Sequence, residues 1–219
     1  MRIFLIGFLV LTLSSCVDLF DDITIHMDGT GKYRYTINMS ASKVKINSIL
    51  ALDSVDGRRI PKLPEIKEKI EYYRNKLEEK QGISNVKVES NYNDFIFTIS
   101  CDFENVVALQ NGIREIVKEE SKDKNDPALD ESWLSWDGKT LTRIVPSFQS
   151  VIHKMKAEDQ ENLKKGKYIA VSRFDKPIVK CDNTQARISP SKMAALIESN
   201  TYSVATNPSI LRNTIIVSY

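Results

Sequence analysis

Apolar and polar positions alternate along much of the chain. Ile23, Ile25 and Met27 fall on one face of an extended segment, and after Asp28-Gly29-Thr30-Gly31 the pattern resumes with Tyr33, Tyr35, Ile37 and Met39. Two period-two runs about a glycine-bearing turn predict a β-hairpin. A second hairpin is expected from Val86-Lys87-Val88 and Phe95 to Ile99, joined by Asn91-Tyr92-Asn93-Asp94. A third pairs Trp133-Leu134-Ser135-Trp136 with Leu141 to Val145 around Asp137-Gly138. Strands return over Tyr168 to Phe174, Ile178 to Cys181 and Thr214 to Ser218. Turns this tight favour antiparallel over parallel neighbours.

Helical spacing fills the intervals. Pro64 suits a first turn, Ile66, Ile70, Tyr73 and Leu77 form one apolar stripe, and Gly82 stands as a stop. Between Glu104 and Glu119, Val106, Leu109, Ile113, Ile116 and Val117 share a face. Ser147 is placed to cap a third helix carrying Phe148, Val151, Ile152 and Met155, with Gly166 closing it. Ser189-Pro190 reads as the start of a short helix through Ile197. The pattern predicts an α+β fold, a mostly antiparallel sheet built from hairpins with helices covering one face. No repeat of solenoid period is visible. Residues 23–219 form one globular domain, or two subdomains meeting near 121–130, where Ser121-Lys122-Asp123-Lys124-Asn125-Asp126-Pro127 reads as a flexible loop.

The N-terminus follows a different rule. Arg2 precedes the apolar run Ile3 to Leu13, then come Ser14, Ser15 and Cys16. That order fits a secretory signal. A spanning helix needs roughly 20 apolar residues, and this run is shorter and soon meets Asp18, Asp21 and Asp22. Leu13-Ser14-Ser15-Cys16 resembles the lipobox of bacterial lipoproteins. The resemblance implies cleavage after residue 15, acylation of Cys16 and a membrane anchor of more than one acyl chain, each buried CH₂ contributing about 0.8 kcal/mol. Many inner-membrane lipoproteins carry Asp after the cysteine; Val17 stands here, which implies the outer membrane. Asp18, Asp21 and Asp22 are similar to the acidic export tags of some surface lipoproteins, and residues 16–22 are read as a solvated tether.

Composition narrows the partners. The 219 residues are 42% hydrophobic and 27% charged, with 31 Lys+Arg against 29 Asp+Glu and a formal charge of +2. A chain of this size buries close to about 70% of its unfolded surface without metal or multiple staples. So small a net charge offers no whole-molecule field for nucleic acid, and removing residues 1–15 takes away only Arg2. On that balance nothing electrostatic is added to the lipid anchor.

Candidate chemistry is sparse. The two histidines, His26 and His153, have no second ligand at helical or strand spacing. No G-x-S-x-G, S-x-x-K, H-E-x-x-H or P-loop pattern occurs, so neither an enzyme nor a cofactor is expected. Asp28 to Gly31 and Asp123 to Asp126 lack the acidic periodicity of a calcium loop, and turn geometry explains both glycines. Cys101 and Cys181 are the candidate disulfide, which in the entropy model adds up to about 4 kcal/mol; otherwise they are two buried thiols. Trp133 and Trp136 stand three apart, which on a strand places them on opposite faces, so that one could be free for a ligand or partner, but plain packing on the sheet is the favoured reading.

Ile23-Thr24-Ile25-His26-Met27-Asp28-Gly29-Thr30-Gly31-Lys32-Tyr33, following the signal and lipobox, resembles the LppM-like bacterial lipoproteins. Phe174-Asp175-Lys176-Pro177-Ile178 is similar to the late strand entry of related lipoproteins. The resemblance implies residence in the cell envelope and brings no catalytic residue set, while lipid binding has been considered for some members. Two functions are expected. One is a non-enzymatic, membrane-anchored lipoprotein that presents its domain to an envelope protein partner. The other is a carrier of a small apolar or lipid ligand in a groove between sheet and helices.

Overall fold

In the computed structural model, which describes residues 17–219 apart from 56, 121–129, 145–151, 153, 154 and 156, the first strand starts well ahead of its expected place. Strand β1 spans Asp18–Ile25, with Leu19, Asp21, Ile23 and Ile25 buried and Asp18, Phe20, Asp22 and Thr24 half-exposed. Alternation therefore runs straight through the acids read as a solvated tether. Asp18 and Asp22 lie on the outer face, and Asp21 is accommodated inside by an arginine described below. β2 (Gly31–Asn38) completes the expected hairpin, with Asp18 opposite Asn38 and Ile25 opposite Gly31. Gly29 has a φ of +88°, and a Cβ at Gly31 would lie 2.0 Å from the Thr24 carbonyl oxygen, so each glycine is required for its own reason.

After β2 come a 3-10 turn (Ser40–Ser42), helix α1 (Lys43–Leu50) and a two-residue pair, β3 (Ser54–Val55) with β4 (Arg58–Arg59). Helix α2 (Leu63–Glu78) carries Pro64 in its first turn, and the Glu65 carboxylate accepts from the Lys62 backbone N–H. β5 (Ile83–Asn91) and β6 (Ile96–Phe103) form the second expected hairpin, and Phe95 in its turn has a φ of 54°. Helix α3 (Val106–Glu120) is capped by Asn105, whose Oδ1 accepts from Ala108 N at 2.9 Å. β7 (Leu134–Trp136) and β8 (Thr140–Arg143) form the third hairpin. Helix α4 (Ala157–Lys165) leads into β9 (Lys167–Phe174), then β10 (Ile178–Cys181), β11 (Arg187–Ile188), β12 (Ala194–Asn200), helix α5 (Thr201–Thr206) and β13 (Asn213–Val217).

The strands make a seven-stranded sheet in the order β11-β12-β9-β1-β2-β6-β5, and a four-stranded antiparallel sheet, β10-β13-β8-β7. The larger sheet is antiparallel except where β1 runs parallel to β9, Leu19 beside Tyr168 through Ile25 beside Phe174. The protein is α+β. The sheet also runs unbroken across the boundary expected near 121–130, because β9 and β12 join the strands of the N-terminal half. Its main core gathers Ile23, Ile25, Cys101 and Phe103 from the larger sheet, Leu141, Ile178 and Ile215 from the smaller, and Leu77 and Leu109 from α2 and α3.

The helix expected from Ser189 is a hairpin instead. Lys192 N donates to Ser189 O at 2.8 Å, Lys192 has a φ of 60°, and Ser189 Oγ accepts from Ala194 N. Pro190 presets the turn rather than a helix. Beyond it Ala195 and Ile197 are buried at a spacing of two, the strand period. Of the helix expected from Ser147, Phe148, Val151 and the cap itself lie outside the described residues, as do His153 and the loop from Ser121 to Pro127.

Both tryptophans pack on the main core. Trp133 tilts against Tyr33 with centroids 6.3 Å apart, and Trp136 stacks on Phe174 at 6.0 Å. Packing on the sheet, the favoured reading of the pair, is what both side chains show; β7 begins at Leu134, so the opposite-face alternative has no strand position for Trp133.

Candidate functional site

Two places draw together the residues singled out above. The first is the end of the larger sheet where β1 begins. Cys16 lies outside the described residues, and Val17, which follows it, is 1% exposed. Thr201 Oγ1 donates to Val17 O at 3.2 Å, and the Asp18 carboxylate accepts from Lys167 N at 2.9 Å. A Cβ on Gly166 would stand 2.2 Å from Val17 O, so only glycine lets the two backbones approach this closely. Asp22 is held by Arg173 through Nε and Nη2. Each of the three acids of the expected tether thus has a fixed partner in the folded body.

The second is a buried polar cluster between the sheets. Asp21 on β1 and Arg143 on β8 are inward-facing charges on strands of different sheets, and Arg143 Nη1 donates to Asp21 Oδ2 at 2.8 Å. Tyr168 Oη donates to the same oxygen at 3.1 Å. Tyr33 and Tyr35 face the cluster from β2 with rings 6.5 Å apart. Burial, then the negative charge of Asp21, drives the phenol pKa values of Tyr33, Tyr35 and Tyr168 well above their ordinary range. Burial opposes the Arg143 charge, yet Asp21 and the neighbouring phenols outweigh it and hold the guanidinium above its usual pKa. Asp21 Oδ1 and Arg143 Nη2 are sealed from solvent and make no hydrogen bond among the described residues.

Chemically, this cluster is an ion pair bonded by one phenol, Tyr168, and flanked by two others. No nucleophile and base meet there. A buried pair gains in Coulomb energy what it loses in desolvation, and its best-attested role is to fix one register between packed elements. Arg143 is not singled out by the sequence, and Asp21 is placed there in a solvated tether. A signal existed: Asp21 stands in phase with Leu19 and Ile23, and Arg143 in phase with Leu141, so each was a charge at an inward strand position. Gln110 was missed too. It is buried on α3 and accepts from the N–H groups of Trp133 and Leu134 while donating to Leu134 O.

The candidate disulfide is not formed. Cys101 on β6 of the larger sheet and Cys181 on β10 of the smaller are both free thiols. Cys181 Sγ donates to Asn213 Oδ1 at 3.2 Å, while burial, aided by Asp102, pushes the Cys101 thiol up to about 12. His26 sits half-exposed after β1 with Nδ1 3.5 Å from Asp175 Oδ2. Asp28 is exposed, and its hydrogen bonds from Thr30 lower its carboxyl pKa as a turn requires. Among the described residues no group of three or more His, Cys, Asp and Glu side chains is placed to hold a metal, and no helix is long and apolar enough to cross a membrane.

No protein-family model matches the chain, and no curated protein matches it. Among solved structures, the chain is similar to the folded domain of Mycobacterium tuberculosis LppM, determined by NMR. The identity is 12% and the TM-score 0.45, over 94% of this chain and 91% of that one. This is a likeness of overall shape, and it carries no functional residue across.

Proposed function

We propose that the protein is a lipid-anchored lipoprotein of the cell envelope, attached through Cys16, that acts without catalysis by presenting its α+β body to a protein partner. What supports the reading is the burial of Val17. With β1 starting at Asp18, no spacer separates the lipobox cysteine from the body, so acyl chains on Cys16 hold the domain flush with the bilayer rather than on a tether. Val17 in place of Asp favours the outer membrane. Cross-linking in intact cells tests the reading: the wild type gives an adduct of defined mass, and Cys16→Ser, released from the membrane, does not. No adduct with either form removes protein presentation.

A second reading, carriage of a small apolar or lipid ligand, has one observation in its favour. Tyr33, Tyr35 and Tyr168 gather about the buried Asp21, yet each keeps accessible surface, an aromatic group that an apolar ligand could meet. Organic extraction of protein purified from native membranes separates the two. A bound lipid at near-stoichiometric amount supports carriage, and a clean extract removes it.

A further inference from the structure

The contacts that close over Val17 come from far along the chain. Gly166 packs on the Val17 backbone, a Cβ there standing 2.2 Å from the carbonyl oxygen, and Thr201 Oγ1 donates to that same oxygen at 3.2 Å. Thr201 N donates to Gly166 O at 2.9 Å, so the two residues form one clamp. Lys167 N donates to the Asp18 carboxylate beside it. The hydrogen bonds on Val17 and Asp18 span 184 and 149 residues of sequence. The two neighbours of β1 are as unequal: β2 follows it directly, whereas β9, its parallel partner, is separated from it by most of the chain. A chain that emerges from its N-terminus forms the hairpin of β1 and β2 early. The clamp on Val17 waits for residues 166–201.

The delay matters because of the bond that stands just ahead of Val17. On the reading proposed above, the amide between Ser15 and Cys16 is hydrolysed by a membrane peptidase, water adding across it to leave a carboxylate on Ser15 and an amine on Cys16. Proteolysis needs an open segment about the bond, and its rate follows the population of the open form. Val17, the second residue after this bond, is 1% exposed, and Leu19, the fourth, is 8% exposed. β1 is also internal to its sheet, paired with β2 from Asp18 and with β9 from Leu19, so opening it breaks two ladders. The closed body holds this junction out of a peptidase's reach.

We infer that the clamp of Gly166 and Thr201 on Val17 sets an order of events: residues 1–15 are removed before residues 166–201 dock, and docking then seals the junction between anchor and body against further proteolysis. The inference rests on the Cys16 anchor proposed above. The test uses the full 219-residue precursor, made without membranes, folded in mild detergent and added to membrane vesicles of the host, with conversion followed by intact mass. Two variants open the junction. In one, four Gly-Ser pairs are inserted between Val17 and Asp18, which leaves the lipobox as it is and sets the bond clear of the clamp. In the other, Gly166→Val, the added side chain meets the Val17 carbonyl and holds the clamp apart. Near-ultraviolet circular dichroism of Trp133 and Trp136, both packed on the main core, verifies that wild type and the spacer variant are folded beforehand. The expected result is that both variants are converted at least about tenfold faster than wild type. If any of the three is converted and either variant is no faster than wild type, the anchor stands and the order is overturned. If none of the three is converted, the anchor falls and the order falls with it.

Discussion

Arg143 on the smaller sheet and Asp21 on the larger meet through a 2.8 Å hydrogen bond from Nη1 to Oδ2, both side chains buried. The pair spans the interface between the sheets, so removing either partner strands the other charge away from water. Asp21→Asn or Arg143→Met is expected to cost about 3–5 kcal/mol of unfolding free energy, read from denaturant titration. The double change Asp21→Leu with Arg143→Met recovers most of that loss, because two apolar groups need no partner. A double variant as unstable as the two losses added together contradicts this reading of the pair.

Gln110 joins α3 to β7 with one side chain. Its amide serves two N–H donors and one carbonyl, at 2.7–2.9 Å. Gln110→Leu keeps the bulk and leaves all three backbone groups unmet, an expected loss of at least about 2 kcal/mol. Amide exchange at Leu134 accelerates with it; unchanged protection at Leu134 would refute the assignment.

The two free thiols differ in environment. Cys101 holds its proton to about 12, whereas an unfolded thiol ionises near its ordinary value of 9.0. Below the unfolded value both states keep the proton and Cys101 adds no pH dependence. Above it only the unfolded chain releases the proton, so stability falls as pH rises, by up to about 1.4 kcal/mol per pH unit. The stability difference between wild type and Cys101→Ala therefore shifts against the wild type between about pH 8 and about pH 10. In native protein a thiol reagent labels Cys181 before Cys101. Equal labelling rates, or a flat difference across this range, count against the buried thiol.

Gly166 allows the backbone of Val17 to close on the sheet. Gly166→Ala places a methyl 2.2 Å from Val17 O and forces that contact apart, at an expected cost of about 1–3 kcal/mol. Limited proteolysis then cleaves near Val17 and Asp18 sooner than in the wild type. An unaltered digestion pattern means the start of β1 is held by other contacts.

Much of this architecture was legible because it is local. The hairpins at Asp28 to Gly31, Asn91 to Asp94 and Asp137-Gly138 carry turn residues between alternating runs, and the stripes of α2 and α3 carry helical spacing, so period and turn agree. What was not legible depends on distant chain. Nothing near Leu19 announces that Tyr168 will lie beside it in a parallel pair, since such neighbours need a long crossover that leaves no turn signal. Asp21 was read as solvated because its partner, Arg143, lies far along the sequence. Ser189-Pro190 suits the first turn of a helix and the corner of a hairpin equally, and only the spacing of Ala195 and Ile197 separates them.

The proposed attachment of the domain to a bilayer depends on Cys16 being the acylated first residue of the mature chain. Intact-mass spectrometry of the protein purified from membranes measures this directly. The expected mass is that of residues 16–219 increased by a thioether-linked diacylglycerol, with or without a third acyl chain, and absent from the membrane fraction of Cys16→Ser cells. A membrane-bound species at the unprocessed mass of all 219 residues, unchanged by Cys16→Ser, contradicts it.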